Sequence, residues 1–358
     1  MSEALAYENN YAGIRAASSP RTLRAARIKE QSRLLDLFAA MPSPDWNHAV
    51  NQMHDEVMAR CAYLAEKVLE VEGIGVPPVP YAFVAFGSAG RGEQTLWSDQ
   101  DNGLIIGEGG GERGELYFKY FAGVLVKILE KVGYPPCPGN VMLSNAMWRH
   151  TLTGWREQLQ GWRDELQWEQ IRYLNIASDM RCIAGSRELE REWKKAFQEV
   201  MEPGEALTAA LLRGTVRHKA GLNVLGQVIT EPFGEHAGSF DVKYGLYMPL
   251  VNGMRCIALQ YGIPETSTAE RLKQLIRLEA VPGLGLEACR QAFYTTLKLR
   301  SLTSYTVYDG MLQGSSYLTP SMMKQKEVKQ ELRESLGTVK LLYRTLQRQL
   351  RFTERKGL

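Results

Sequence analysis

Two acids, Asp99 and Asp101, stand one residue apart, and a glycine–serine pair, Gly87-Ser88, precedes them by about ten residues. On an extended segment, side chains at i and i+2 point to the same face. Two carboxylates on one face repel unless a cation sits beside them. Hard oxygen ligands next to a triphosphate suit Mg²⁺, or Mn²⁺ in its place. Such ions stabilise the attacking and leaving oxygens of an in-line displacement at phosphorus. Gly87-Ser88 complements the acids. Glycine lets the backbone approach a phosphate without a Cβ in the way. The amides that follow, at the start of a short helical turn, are unpaired donors for an anion. The Ser88 hydroxyl adds one bond, and Arg91 adds a fixed charge with a fork suited to phosphate oxygens. Asp99 and Asp101 are therefore the candidate metal-binding and catalytic acids, and Gly87, Ser88, Gly90 and Arg91 the candidate phosphate-binding residues. Singly these are common features: Gly-Ser is usually a turn, and Asp-x-Asp usually a solvated loop or a cap. Their order and separation between two apolar strands make the combination specific.

Positioning such groups takes a sheet. Tyr81–Phe86 is a short apolar run rich in aromatics, read as a buried strand, and Asn102–Ile106 reads as a second. Asn102 and Leu104 are expected to face away from the acids, into hydrogen bonds and core. Val141-Met142-Leu143 reads as a third short strand. Helices are expected around Leu23–Ala40 and from His48, where Val50, Met53, Val57, Leu64, Val68 and Val71 form one apolar stripe. Gly73 to Pro78 ends that helix. A glycine-rich loop, Gly107–Gly114, leads into a helix ending near Lys131. Glu165–Ser186 reads either as helix throughout or as a strand near Ile176–Ile183. Beyond Glu202-Pro203-Gly204 helices dominate, and the last carries Leu332, Leu336, Val339, Tyr343, Leu346 and Leu350 as a stripe. The expected fold class is α+β: a small mixed sheet flanked by helices, plus a C-terminal all-α domain. The expected parts are an N-terminal helical segment (1–44), a catalytic domain (45–200) and a helical domain (205–358).

The whole chain narrows the partners. Its 358 residues are 44% hydrophobic, enough for a sizeable core, and the net charge of +3 is too mild to argue for nucleic acid. Five scattered cysteines without a Cys-x-x-Cys pair fit a reducing cytoplasm and argue against a disulfide framework or structural zinc. The first thirty or so residues lack an apolar leader, and no run is long enough to span a membrane.

The text Gly87-Ser88-Ala89-Gly90-Arg91-Gly92-Glu93-Gln94-Thr95-Leu96-Trp97-Ser98-Asp99-Gln100-Asp101-Asn102 resembles the polymerase-β nucleotidyltransferase superfamily. Within it, the text looks like the signal-transduction nucleotidyltransferases called domain of unknown function 294, which are similar to the catalytic domain of protein-PII uridylyltransferase. The resemblance continues in Cys137–Met142, Trp148-Arg149, Asp179-Met180-Arg181 and Phe240-Asp241-Val242-Lys243, and covers about residues 45 to 355. It implies Mg²⁺-dependent transfer of a nucleoside monophosphate from a nucleoside triphosphate to a regulatory-protein side chain or a small molecule, with release of pyrophosphate. By the same resemblance Gly87 and Ser88 hold the terminal phosphates, Asp99 and Asp101 bind metal, and Asp179 is the candidate third carboxylate, a base on the attacking hydroxyl. The competing role for Asp179 is a local structural pair with Arg181. Many members carry upstream cyclic-nucleotide-binding and CBS domains; only about forty residues precede the match here, so sensing by such domains in cis is not expected.

Other features carry plainer readings. Gly109-Gly110-Gly111-Glu112-Arg113-Gly114 fits G-x-G-x-x-G, but Glu108, Glu112 and Glu115 would repel a pyrophosphate, so it reads as a flexible surface loop. Glu93 and Gln94 are expected to cap the turn or orient Arg91. His150 and His218 are lone histidines. Asp241 and Lys243 read as a salt-bridged contact or, alternatively, a contact to nucleotide or acceptor. Lys119 and Lys127 are expected to face solvent, and the basic end Arg344–Lys356 reads as the wet face of the last helix or, alternatively, a docking surface. Two further functions compete with the enzyme: a nucleotide-binding regulator without catalysis, which loss of a third carboxylate would favour, and a scaffold.

Overall fold

The computed structural model describes residues 11–217 and 228–356. His218 lies outside them. In chain order the elements are α1 (Ala12–Ala16), α2 (Pro20–Leu37), α3 (Ser43–Val71), β1 (Tyr81–Ala85), α4 (Gly87–Arg91), β2 (Asn102–Ile106), α5 (Gly111–Val132), β3 (Arg149–Thr151), α6 (Leu152–Glu165), α7 (Trp168–Ala177), β4 (Arg181–Gly185) and α8 (Arg187–Val200). There follow α9 (Glu205–Val216), β5 (Phe240–Asp241), a π-helical turn (Lys243–Tyr247), α10 (Met248–Gln260), α11 (Thr268–Arg277), α12 (Leu286–Ser301), β6 (Tyr305–Tyr308), β7 (Met311–Gly314), β8 (Tyr317–Leu318), α13 (Pro320–Lys324) and α14 (Lys326–Lys356). Two compact units result. The first holds the described residues up to Trp155, with Met180–Trp193 and Val307–Gln313. The second holds Arg156–Asp179, the described residues of Lys194–Thr306, and those from Gly314 on.

The first unit is built on a mixed sheet of order β3-β2-β1-β4. β1 runs antiparallel to both β2 and β4, whereas β2 and β3 are parallel. Every residue of β1 and β2 is buried, which is why β1 reads as a continuous apolar run rather than an alternating one. α5 lays Tyr117, Phe118, Phe121, Leu125, Ile128 and Leu129 into the core at helical spacing. α3 packs against α2 and α5. Its stripe is buried from Val50 to Leu64, but Val71 is 87% exposed and Leu69 takes the last core position. α5 starts at Gly111, so half of the glycine-rich loop is a helix start. Val141–Leu143 is not a strand; the Val141 carbonyl accepts one bond from Asn102 N, and the third strand forms at Arg149–Thr151 instead. Glu165–Ser186 is not helix throughout: after α7 and a turn comes β4, which overlaps the strand read near Ile176–Ile183 but starts at Arg181.

The second unit is largely helical, as read. α14 packs on α9 and α12. Its residues Leu332, Leu336, Val339, Leu342 and Leu346 are 0–2% exposed. Short strand pairs interrupt the helices, including Phe240 and Asp241 paired antiparallel with Leu318 and Tyr317. Arg344, Arg348, Arg351 and Arg355 lie exposed on α14, and Lys119 and Lys127 on α5. No helix among the described residues is long and apolar enough to cross a membrane.

Candidate functional site

Gly87 opens α4 directly after β1, with φ of +55°. That conformation alone disfavours a side chain, and a second constraint acts on the same atom. A Cβ on Gly87 would lie 2.6 Å from Asp101 Oδ2. The carboxylate of Asp101 therefore rests against the Gly-Ser turn. Backbone pairing puts it there: Ala85 faces Asn102 in the sheet, and Phe86 N donates to Asp101 O at 2.9 Å. Gly103 lets this end of the sheet close, since a Cβ there would meet Phe86 Cε2 and Trp148 O, each at 2.7 Å. α4 is a single turn closed by Gly90 N to Phe86 O at 2.8 Å, and Glu93 N returns to Ser88 O at 2.8 Å. The first amides of such a turn have no acceptor within it. Gly87 and Ser88 are half-buried, while Gly90 and Arg91 are buried. The Arg91 side chain is 3% exposed and its Nε donates to Glu93 Oε2 at 2.8 Å. Glu93 thus orients Arg91, and the pair supports the turn from inside the protein.

The segment before β2 alternates as an extended chain should. Trp97, Asp99 and Asp101 are half-buried, and Ser98, Gln100 and Asn102 buried. The two acids share the open side. Gln100 and Asn102 occupy the other: Gln100 Nε2 donates to Tyr134 O at 2.9 Å, and Asn102 Oδ1 accepts from Leu143 N at 3.0 Å.

A buried polar row on α3 fastens the rest of the loop. Asn51 Oδ1 accepts from Gln94 N at 2.8 Å, and Asn47 and Asn51 donate to Gln94 O. His54 Nε2 donates to Thr95 O at 2.8 Å. Gln31 of α2 donates to Leu96 O. Because a carbonyl only accepts, Nε2 of His54 carries the proton, and Nδ1 accepts from the Tyr134 hydroxyl at 2.7 Å. Burial, then the neighbouring Arg27 charge, holds His54 neutral and pushes its pKa down to about 3. An unfolded histidine binds a proton below about pH 6.5. In the window from about pH 6.5 to 3 the unfolded chain carries the extra proton, so stability falls as pH falls. The slope is about 1.4 kcal/mol per pH unit. Urea unfolding at about pH 7 and pH 5 should show roughly 2 kcal/mol of this loss in the parent and not in His54→Gln.

Cys137 is the half-buried thiol of the chain; Cys61, Cys182, Cys256 and Cys289 are buried. Its pKa is pushed up to about 12 by burial, by the Asp101 charge and by a hydrogen bond with Asp101. Its loop runs beside the acids, with Gln100 N donating to Pro135 O and Asn102 N to Val141 O, each at 3.0 Å. Alkylation needs the thiolate. Iodoacetamide should therefore modify Cys137 slowly and selectively, and Asp101→Asn should speed it, as peptide mass spectrometry would show. An unchanged rate would place Cys137 away from Asp101.

Asp179 belongs to the second unit. It is 1% exposed, and it is paired, though not with Arg181. Oδ1 accepts from Arg255 Nε at 3.1 Å and Arg271 Nη1 at 3.0 Å, and Oδ2 from Arg255 Nη2. Arg271 also donates to Ser178 O and Glu265 O, both at 2.8 Å. One buried carboxylate so joins the end of α7 to α10 and α11. Arg181 instead engages Asp55 and α4. β3, the neighbour of β2, carries Arg149, His150 and Thr151. Asp241 caps the turn that follows it: its Oδ1 accepts from Tyr244 N at 3.0 Å. His150 packs edge-on against Trp155. An open groove of about 480 Å³ lies beside Pro77–Tyr81, Gly185 and Ser186. That is the far end of β1 from Gly87, about 20 Å of extended chain away.

Among the described residues there is no group of three or more His, Cys, Asp or Glu side chains placed to hold a metal ion. A pair of carboxylates is what Mg²⁺ commonly uses when substrate phosphates and water complete its shell. The hard donors of Asp99 and Asp101, with the Cβ-free space at Gly87, fit that demand.

The chain matches the family model described as Putative nucleotidyltransferase DUF294 over residues 34–169. It also matches the model described as Putative nucleotidyltransferase substrate binding domain over residues 205–350. Together these cover most of the chain. The chain belongs to this nucleotidyltransferase family. The first match holds the Gly-Ser turn, both acids and the α3 row, so the family's first part is where the site geometry lies. The second holds Arg255, Arg271, the π-helical turn and most of α14. No curated protein matches the sequence.

Proposed function

We propose that this nucleotidyltransferase moves a nucleoside monophosphate from a nucleoside triphosphate to a hydroxyl on a protein side chain or small molecule, releasing pyrophosphate. The observation that carries this reading is the Asp101 carboxylate seated against Gly87, where a Cβ would be 2.6 Å from Oδ2. The turn proposed to bind phosphate and the Asp101 carboxylate proposed to bind metal are neighbours, which supports this reading. Ser88 and the first amides of α4 hold the terminal phosphates. Asp99 and Asp101 hold Mg²⁺, which when bound offsets charge on the phosphates and on the leaving pyrophosphate. The acceptor oxygen forms a bond to the α-phosphorus, and the bond from that phosphorus to the bridging oxygen breaks. The proton of the attacking hydroxyl leaves to solvent at this half-open site, because Asp179 is committed to Arg255 and Arg271. On this reading, the region matched as a substrate-binding domain binds the acceptor.

That commitment of Asp179 favours a second reading, a nucleotide-binding regulator without transfer. The two separate on one assay. With Mg²⁺ and each of the four triphosphates in cell lysate, the enzyme labels a protein or metabolite and releases pyrophosphate, and Asp99 and Asp101 are both required. A regulator binds triphosphate and releases none. Equal labelling by parent and mutants would remove the assignment of these acids.

A further inference from the structure

Arg181, on β4, has no part in the transfer chemistry above. Its guanidinium nonetheless makes four hydrogen bonds to two other elements. Nη1 donates to Asp55 Oδ2 at 2.7 Å and Nη2 to Asp55 Oδ1 at 2.8 Å. Nη2 also donates to Ala89 O at 2.7 Å, and Nε to Gly90 O at 3.1 Å. The two carbonyls are the late ones of α4, the five-residue helix that begins with Gly87 and Ser88. A helix that short does not hold itself in water. Here its carbonyl end is bound by charge-assisted bonds, and a cation at that end is the favourable sense for the peptide dipoles. Asp55 fixes the plane of the fork and balances its charge. The consequence is therefore geometric more than a long-range field.

We infer that Arg181 is a positioning residue for polyphosphate: it sets α4 so that the Gly87 and Ser88 amides stay aimed at the phosphates. The inference rests on the phosphate-binding reading of that turn. It concerns the tail of the ligand and not the base, so inorganic tripolyphosphate and a nucleoside triphosphate should lose affinity by the same factor.

The test uses the full chain and its variants Arg181→Ala, Arg181→Lys and Asp55→Asn, titrated calorimetrically with Mg²⁺–tripolyphosphate and with Mg²⁺–ATP, UTP, GTP or CTP. Arg181→Ala should weaken both ligand types by about 10- to 100-fold. Arg181→Lys keeps the charge and loses the fork, so it should weaken binding nearly as much. Asp55→Asn should fall between parent and Arg181→Ala. The Arg181 side chain is 25% exposed, so millimolar guanidinium should restore part of the Arg181→Ala affinity while equal urea does not. A residue that only stabilised the fold would lower the melting temperature without that rescue. If Arg181→Ala does not fold, the Arg181→Lys and Asp55→Asn affinities carry the same comparison. Parent-like affinity in the variants overturns the inference while leaving the phosphate reading intact. Lysine serving as well as arginine also overturns it. A parent chain that binds neither ligand removes the turn's phosphate role along with it.

Discussion

Asp101→Asn is expected to lower nucleotide transfer by at least about 1000-fold, the equivalent of roughly 4 kcal/mol of transition-state stabilisation. The change keeps the heavy-atom shape against Gly87, where the fit is tight, and keeps an oxygen to accept from Cys137. On the proposed reading it removes the charge that would draw the cation to the terminal phosphates. Stability should not suffer, because one of two neighbouring negative charges disappears from a half-open surface. The melting temperature should stay within about 2 °C of the parent. Asp99→Asn should behave alike. Retained transfer in either variant, measured as pyrophosphate release at saturating Mg²⁺, would mean that the acids do not hold the metal.

Asp179→Ala should act the opposite way, through stability. Removing this carboxylate leaves Arg255 and Arg271, whose side chains are 7% and 1% exposed, buried without their shared anion. Breaking such a buried pair costs about 3–5 kcal/mol, a large part of the stability of an ordinary domain. Urea denaturation should show this loss. Asp179→Asn, which keeps the shape and some hydrogen bonds, should lose less. A base on the attacking hydroxyl would give another pattern: an unchanged denaturation midpoint and a collapsed rate in Asp179→Asn. That pattern would return Asp179 to the chemistry and displace the bracing role.

How much of the fold and site is legible in the sequence follows from how local each signal is. The ends of β2, the alternation from Ser98 to Asn102 and the stripe of α14 depend on nearest neighbours along the chain, so their spacing was legible. The fastening of the loop was not. Asn47, Asn51 and His54 stand at i, i+4 and i+7 on a helix read for its apolar stripe, and their partners are backbone groups about 40 residues away. Polar residues at buried helical spacing were the available signal. Asp179 and Arg181, two residues apart, suggested a local ion pair. The structure sends them to different partners, because one stands before β4 and the other on it. Val71 fits the apolar period of α3 yet is exposed, since Leu69, two residues earlier, takes the last core position. Val141 bonds to Asn102 without forming a strand, a distinction that depends on the backbone of the facing segment.

The most direct measurement compares two labels on one nucleoside triphosphate. With Mg²⁺ and the acceptor-containing lysate, label in the α-phosphate should pass to the acceptor, and label in the γ-phosphate should leave as pyrophosphate. Both should vanish in Asp101→Asn. Transfer of the γ-label to the acceptor, or α-labelling that persists in the mutant, would contradict the assignment of this site to nucleotidyl transfer.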